Sequence, residues 1–137
     1  MSKSQRFAFE PKPDALGVID FVPQLSLTLL NRNRSEEVSG LLDTGASVNV
    51  LPYDLGIRLG AIWEEQTTSV RLSGILATTE AKGIILNAQI TNFSPVRLVF
   101  AWSRSNDILV LLGRTNFFQE FDVCFYTSLQ QFELTQK

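Results

Sequence analysis

Histidine is absent from this chain. Without an imidazole there is no Ser-His-Asp or Cys-His catalysis, and no zinc site of the usual His-containing kind. Acid–base chemistry near neutral pH then falls to carboxyls, Cys, Tyr or Lys. Cysteine is nearly absent too. Cys124 stands alone, so no intrachain disulfide can form, and such usage points to a reducing compartment. No apolar run approaches the ~18 residues of a membrane span. Met1 to Ala15 hold no apolar stretch of signal-peptide type. Excess charge is also missing. A net charge of −2 gives no basic surface for nucleic acid or an anionic membrane. These absences predict a cytoplasmic protein with neither nucleic acid nor membrane as a partner.

What is present is apolar alternation. With 137 residues, 45% of them hydrophobic, the chain is long enough for one domain with a real core. Leu25, Leu27 and Leu29 alternate with Ser26 and Thr28, the period of a half-buried strand. Asn31 to Ser35 reads as a turn, and Glu37 to Leu42 as a second strand. Val48 to Leu51 is extended and ends at Pro52. Tyr53 to Leu59 predicts one or two helical turns closed by Gly60. Thr68 to Leu72 and Gly83 to Ile90 predict a two-stranded element, with Ile84, Leu86, Ala88 and Ile90 on one face. Leu98, Phe100 and Trp102 alternate next. Ile108 to Leu112 is too short for anything but a buried strand. Arg114 to Glu120 predicts a short helix. Phe121, Val123 and Phe125 lead towards a last strand at Phe132 to Leu134. Cys124 falls opposite those three, as a semi-buried structural thiol. Trp63, Trp102 and the phenylalanines read as core or dimer contacts. About ten short strands with few helices give an all-β barrel or sandwich.

One stretch breaks the apolar pattern with an ionisable group. Leu41-Leu42-Asp43-Thr44-Gly45-Ala46-Ser47 places a carboxyl at the end of an apolar strand, followed by a hydroxyl and a glycine. Asp-Thr-Gly alone also suits a tight turn. The setting is more specific, because an extended run, Val48 to Leu51, returns after it and Leu111-Leu112-Gly113-Arg114 follows later. That order resembles the retropepsin-like aspartic proteases, the retroviral type. They show hydrophobic-hydrophobic-Asp-Thr/Ser-Gly-Ala, then a flap hairpin, then hydrophobic-hydrophobic-Gly before a C-terminal helix. The matching elements are Leu41 to Ala46, about Val70 to Leu86, and Leu111 to Gly113, and the likeness spans about Leu25 to Leu134.

The resemblance implies an all-β fold: a closed acid-protease-type barrel with a flap hairpin and one short C-terminal helix. Residues 20–137 would form that domain, and residues 1–19 an extension or extra strand, an arm across a dimer, or a trimmed pro-segment. It implies an aspartic endopeptidase with Asp43 as the catalytic residue. Thr44, Gly45 and Ala46 would support the active-site loop. Ser73, Gly74, Ile75, Leu76 and Ala77 would belong to the flap and substrate-binding surface. Leu111, Leu112, Gly113 and Arg114 would be structural. Where retroviral enzymes place an aspartate after the Ala, this chain has Ser47, so Arg114 must bond backbone carbonyls or another acid. The flap also lacks a glycine-rich tip, having only Gly74 and Gly83.

The implied chemistry needs two carboxyls about 3 Å apart that share one proton. One acts as base on a water, and the other protonates the peptide carbonyl. The chain carries Asp-Thr-Gly once, and Asp14, Asp20, Asp54, Asp107 and Asp122 precede no such pair. The second carboxyl is therefore expected from Asp43 of another copy, across a two-fold axis. The expected partners are a second copy and an extended peptide or protein substrate. No metal and no organic cofactor is expected. Val48, Val50, Ile75, Leu76 and Leu111 would line an apolar cleft. Ala46, not a hydroxyl, follows the motif. With one hydrogen bond fewer to the charged pair, the pH optimum is expected in the mildly acidic range rather than at about pH 2. The alternatives are a retropepsin-like dimerisation or peptide-binding module that cleaves little, and a plain β-sandwich with Asp43 in a turn.

Overall fold

The computed structural model describes residues 3–137, with the backbone alone at Ile75. Eleven strands and two short helices follow one another. They are β1 (Lys3–Ala8), β2 (Glu10–Pro13), β3 (Ile19–Val22), β4 (Gln24–Asn31), β5 (Arg34–Leu42), β6 (Asn49–Leu51), α1 (Tyr53–Arg58), β7 (Ala81–Gln89), β8 (Val96–Ser103), β9 (Val110–Leu112), α2 (Phe117–Glu120), β10 (Phe121–Tyr126) and β11 (Gln131–Gln136). Six of the strands close a barrel in the order β4-β5-β9-β6-β8-β7. Closure leaves those strands no free edge. β1, β11 and β10 form a separate three-stranded sheet, and β2 pairs with β3 alone.

Alternation directs the core. Leu25, Leu27 and Leu29 of β4 point inward and are buried, as are Ile84, Leu86 and Ala88 of β7 and Leu98, Phe100 and Trp102 of β8. One end is sealed by aromatic rings. Tyr53 stacks on Trp102 at 5.6 Å between centroids, and Trp63 meets Trp102 edge-on at 5.2 Å. Gly56 of α1 lets that helix lie against the Trp102 ring. A Cβ there would come within 2.3 Å of Trp102 Nε1. Phe117, Phe121 and Phe132 continue the core under the terminal sheet.

Several local expectations need adjustment. The apolar run 108–112 is a strand only from Val110. Ile108 is half-buried and Leu109 exposed, because the chain reaches the barrel from a loop outside it. The helix expected over Arg114 to Glu120 is confined to Phe117–Glu120, since Arg114 and Thr115 bond instead to the loop after Asp43. The turns expected over Tyr53 to Leu59 are α1, Tyr53–Arg58, in addition to the C-terminal helix. Thr68 to Leu72 forms no full strand. It is held to β7 by the Ser69–Lys82 bridge and by hydrogen bonds from Val70 N to Ala81 O and from Gly83 N to Thr68 O. Gly74–Leu76 is a single 3-10 turn. Cys124 is exposed, on the outward face of the terminal sheet. No helix among the described residues is long and apolar enough to cross a membrane.

Candidate active site

Strands β5 and β6 follow one another in the chain but do not pair. β9 lies between them, parallel to β5 (Gly40 with Val110, Leu42 with Leu112) and antiparallel to β6 (Val50 with Leu111). The connection from β5 to β6 must therefore arch over the end of β9, and Asp43 begins that arch. Its N–H donates to Leu112 O at 3.0 Å, extending the β5–β9 ladder by one bond. The chain then turns sharply. Ala46 N donates to Asp43 O at 3.1 Å, and Gly45 N donates to the Asp43 carboxylate, Oδ1, at 2.9 Å. The carboxyl is thus fixed by its own turn, an Asx-type geometry that Asp and Gly favour. Asp43 is half-buried, whereas Thr44 and Gly45 are exposed.

The segment after β9 clamps the same arch. Arg114 N donates to Ala46 O and Thr115 N to Ser47 O, both at 2.9 Å, and Asn49 N returns a bond to Thr115 O at 3.0 Å. The Arg114 guanidinium donates to Thr44 O at 2.8 Å, so the arginine holds the backbone of the Asp43 turn and not a carboxylate. Gly113 lies hard against this strand. A Cβ on it would come within 2.4 Å of Val48 O and 2.8 Å of Ala46 O, both backbone atoms. Only a residue without a side chain allows the two loops to pack so closely. Leu112 is fully buried beside it.

A polar residue absent from the expected site organises the crossing. Asn49 is completely buried. Its Oδ1 accepts from Gly113 N at 2.8 Å, and its Nδ2 donates to Val99 O at 2.9 Å and to Asn116 Oδ1 at 3.2 Å. Asn116 in turn accepts from Val99 N and donates to Arg97 O, both at 2.9 Å. The pair joins β6, β8 and the turn after β9. The signal was an asparagine inside Val48-Asn49-Val50-Leu51, a polar side chain where alternation offers it no water.

A cleft of about 470 Å³ opens at Asp43. Val48, Val50, Leu72, Leu76 and Leu111 give it an apolar floor, and Ala81 and Ala101 complete the same small cluster behind it. Ser73, Gly74 and Leu76 form one wall, and Asp107, Ile108 and Leu109 another. Gly45, Ala46 and Ser47 complete the rim beside Asp43. Of the expected lining, Val48, Val50, Leu76 and Leu111 are in place, while the Ile75 side chain lies outside the described residues. Ala77 is exposed and takes no part in the lining, and Thr44 stays outside the cleft. The wall at 107–109 was not foreseen, because Ile108 and Leu109 read as buried strand. Asp107 is exposed there and has no ion-pair partner among the described residues. Its loop is tied to α1, with Asn106 Oδ1 accepting from Asp54 N at 2.8 Å and Ser105 O from Tyr53 N at 3.1 Å. The carboxyl thus projects from an anchored wall.

Away from the cleft, Arg6 sits 4.3 Å over the Tyr126 ring. The Cys124 side chain, then the Glu133 charge, push the Tyr126 phenol above its ordinary range.

No protein-family model matches the chain, and no curated protein matches it by sequence. Its fold does match solved structures. A retropepsin-like aspartic protease from Rickettsia conorii superposes with a TM-score of 0.68 at 14% identity, over 99% of this chain and 94% of the other. EIAV protease, in complex with the inhibitor HBY-793, superposes with a TM-score of 0.54 at 19% identity, over 72% of this chain and 86% of the other. The chain therefore has the retropepsin fold expected from its motifs.

Proposed function

We propose that this chain is an aspartic endopeptidase that acts as a homodimer, with Asp43 of each copy facing the other across a two-fold axis. The observation that carries the reading is the position of Asp43. Within a retropepsin fold, it stands at the mouth of an apolar cleft on a turn held by Leu112, Gly45 and Arg114. A single carboxyl cannot supply both a base and an acid, and the motif occurs once, so a second copy completes the pair. One Asp43 carboxylate takes a proton from a water, whose oxygen attacks the peptide carbonyl carbon. The other Asp43, protonated, gives its proton to the carbonyl oxygen. Collapse of the tetrahedral diol breaks the C–N bond, and the amine leaves with a proton from the dyad. Neither metal nor organic cofactor enters this route.

The substrate is an extended peptide lying along the cleft, held by backbone pairing and by side chains in the apolar floor. The lone thiol and the low net charge suit a cytoplasmic enzyme. A second reading, a peptide-binding module that cleaves little, is favoured by one feature. The segment before β7 makes a single bridge to it instead of a full flap hairpin.

A peptide-library digest over a pH series, with wild-type and Asp43→Asn protein, separates the two. The endopeptidase reading requires cleavage that disappears in Asp43→Asn while dimer and fold persist. It also requires specific activity to fall on dilution. Activity that stays constant down to a fully monomeric concentration refutes the shared site. Peptide binding without turnover supports the module.

A further inference from the structure

The segment Glu10–Val22 folds as a hairpin outside the barrel. β2 and β3 pair with each other and join no other sheet. Residues paired across antiparallel strands share a face. Pro11 with Phe21 and Pro13 with Ile19 therefore make one face, and Glu10 with Val22 and Lys12 with Asp20 make the other. The apolar face is turned to water along its whole length. Ile19 is 57% exposed and Phe21 42%, and Pro11 and Pro13 are exposed beside them; on the opposite face the charged Glu10 and Asp20 are exposed, while Lys12 and Val22 are half-buried. Leu16, at the tip, is 87% exposed. A two-stranded hairpin is marginal by itself, and a contiguous apolar face left in water marks an interaction surface.

The edges of this hairpin offer little to strand addition, with Ile19 the one outward position in the two strands whose N–H is neither missing nor engaged among the described residues. Asp14 N donates to Val18 O at 2.8 Å. The alternation of an antiparallel ladder then puts the inward hydrogen bonds at even positions and turns the backbone of 11, 13, 19 and 21 outward. Positions 11 and 13 are prolines and have no N–H to offer. The Phe21 N–H is occupied by Asp20 Oδ1 at 2.8 Å. A partner is left with the face, not the edge.

The root of the hairpin identifies the partner. Pro23 O, just past β3, accepts from Leu42 N at 3.0 Å, one residue before Asp43. The arm thus leaves the barrel at the end where a second Asp43 must arrive. We propose that Glu10–Val22 is a dimer arm, laying its Pro11, Pro13, Ile19 and Phe21 face against a second copy of this chain. The proposal rests on the homodimeric reading of the site. Isologous contact uses the arm twice, once from each copy.

The test is sedimentation equilibrium of the full chain. It compares wild type, the double variant Ile19→Glu/Phe21→Glu, and a control on the opposite face, Lys12→Glu. Circular dichroism confirms that each is folded, and a peptide assay is run in parallel. The apolar-face variant is expected to raise the dimer Kd by about ten-fold or more, with the control near wild type. Specific activity of the variant should recover at high protein concentration, because Asp43 is untouched. An unchanged Kd in the double variant overturns the arm, whether or not the chain cleaves peptide. So does an equal rise in the control. A wild-type chain that is monomeric at every concentration overturns both the arm and the shared site. A dimer that weakens in the variant yet never cleaves supports the arm and refutes the endopeptidase.

Discussion

Replacing Asn49 by alanine tests the idea that one buried amide holds the Asp43 arch to the barrel. The substitution removes the acceptor of Gly113 N and the donor to Val99 O and Asn116 Oδ1. Asn116 Oδ1 keeps its bond from Val99 N, so the groups left without partners are the Gly113 N–H and the Val99 carbonyl. A buried polar group stripped of its partner costs about 1–3 kcal/mol. The Gly113 N–H is enclosed and sits near the top of that range. The Val99 carbonyl lies nearer solvent and sits near the bottom. Loss of the amide's packing adds about 1 kcal/mol. The sum is about 3–5 kcal/mol, a large share of the ~5–15 kcal/mol typical of a domain. For a chain of this length that lowers the Tm by about 10–15 °C. Urea unfolding followed by tryptophan fluorescence measures it, with Trp63 and Trp102 both in the core. Asn49→Asp, protonated at low pH, keeps the acceptor for Gly113 N and one O–H donor in place of the two amide N–H groups, and should fall between wild type and alanine there. A loss below about 1 kcal/mol in Asn49→Ala would refute the reasoning, because no buried N–H could then have been orphaned.

Three further outcomes follow from the same geometry. Gly113→Ala places a Cβ 2.4 Å from Val48 O; it should cost about 2–4 kcal/mol and depress peptide cleavage more than stability alone explains, as seen by assaying the folded fraction. Gly56→Ala gains helix propensity of about 1 kcal/mol but drives Trp102 from its place and breaks the Trp102 Nε1 bond to Tyr53 O. The net loss is expected at about 1–3 kcal/mol, with a change in tryptophan emission, and unchanged emission would count against it. Asp107→Asn leaves the fold intact and should lower kcat/KM several-fold for peptides carrying Lys or Arg near the scissile bond, while sparing neutral peptides. Equal effects on both peptide sets would remove Asp107 from substrate selection.

The barrel was legible because alternation and burial are the same fact in a closed sheet. Leu25, Leu27, Leu29, Leu98, Phe100 and Trp102 could be placed inward from period alone. The Asp43 turn was legible because an apolar strand leads into Asp-Thr-Gly and Leu111-Leu112-Gly113 follows later in the chain. The crossing of β9 between β5 and β6 was not readable, since pairing between distant segments leaves no local trace. Asn49 and Asn116 were missed for that reason: their value comes from groups far away in sequence. Ile108 and Leu109 misled because hydrophobicity alone cannot separate a strand from the wall of an open cleft. The hairpin Glu10–Val22 carries two prolines in one strand, which reads as a break until its register is known.

The placement of β9 has a consequence for the order of events in time. Gly40 meets Val110 across half of the chain, and Lys3 of the first strand meets Gln136 of the last. Contacts so distant form late, because a long loop must close before either side gains from the pairing. During synthesis the Asp43 turn emerges well before Leu112, Gly113 and Arg114, the residues that fix it. Its own two turn bonds are local, but the bonds that dock it on the barrel wait for those residues. The terminal sheet cannot form until β11 has left the ribosome. A nascent copy therefore holds Asp43 on a turn not yet docked, and on the proposed reading it would cleave nothing at that stage. The interleaved topology acts as a delay, in which the Asp43 turn is docked on the barrel only after the segment that follows β9 has been made.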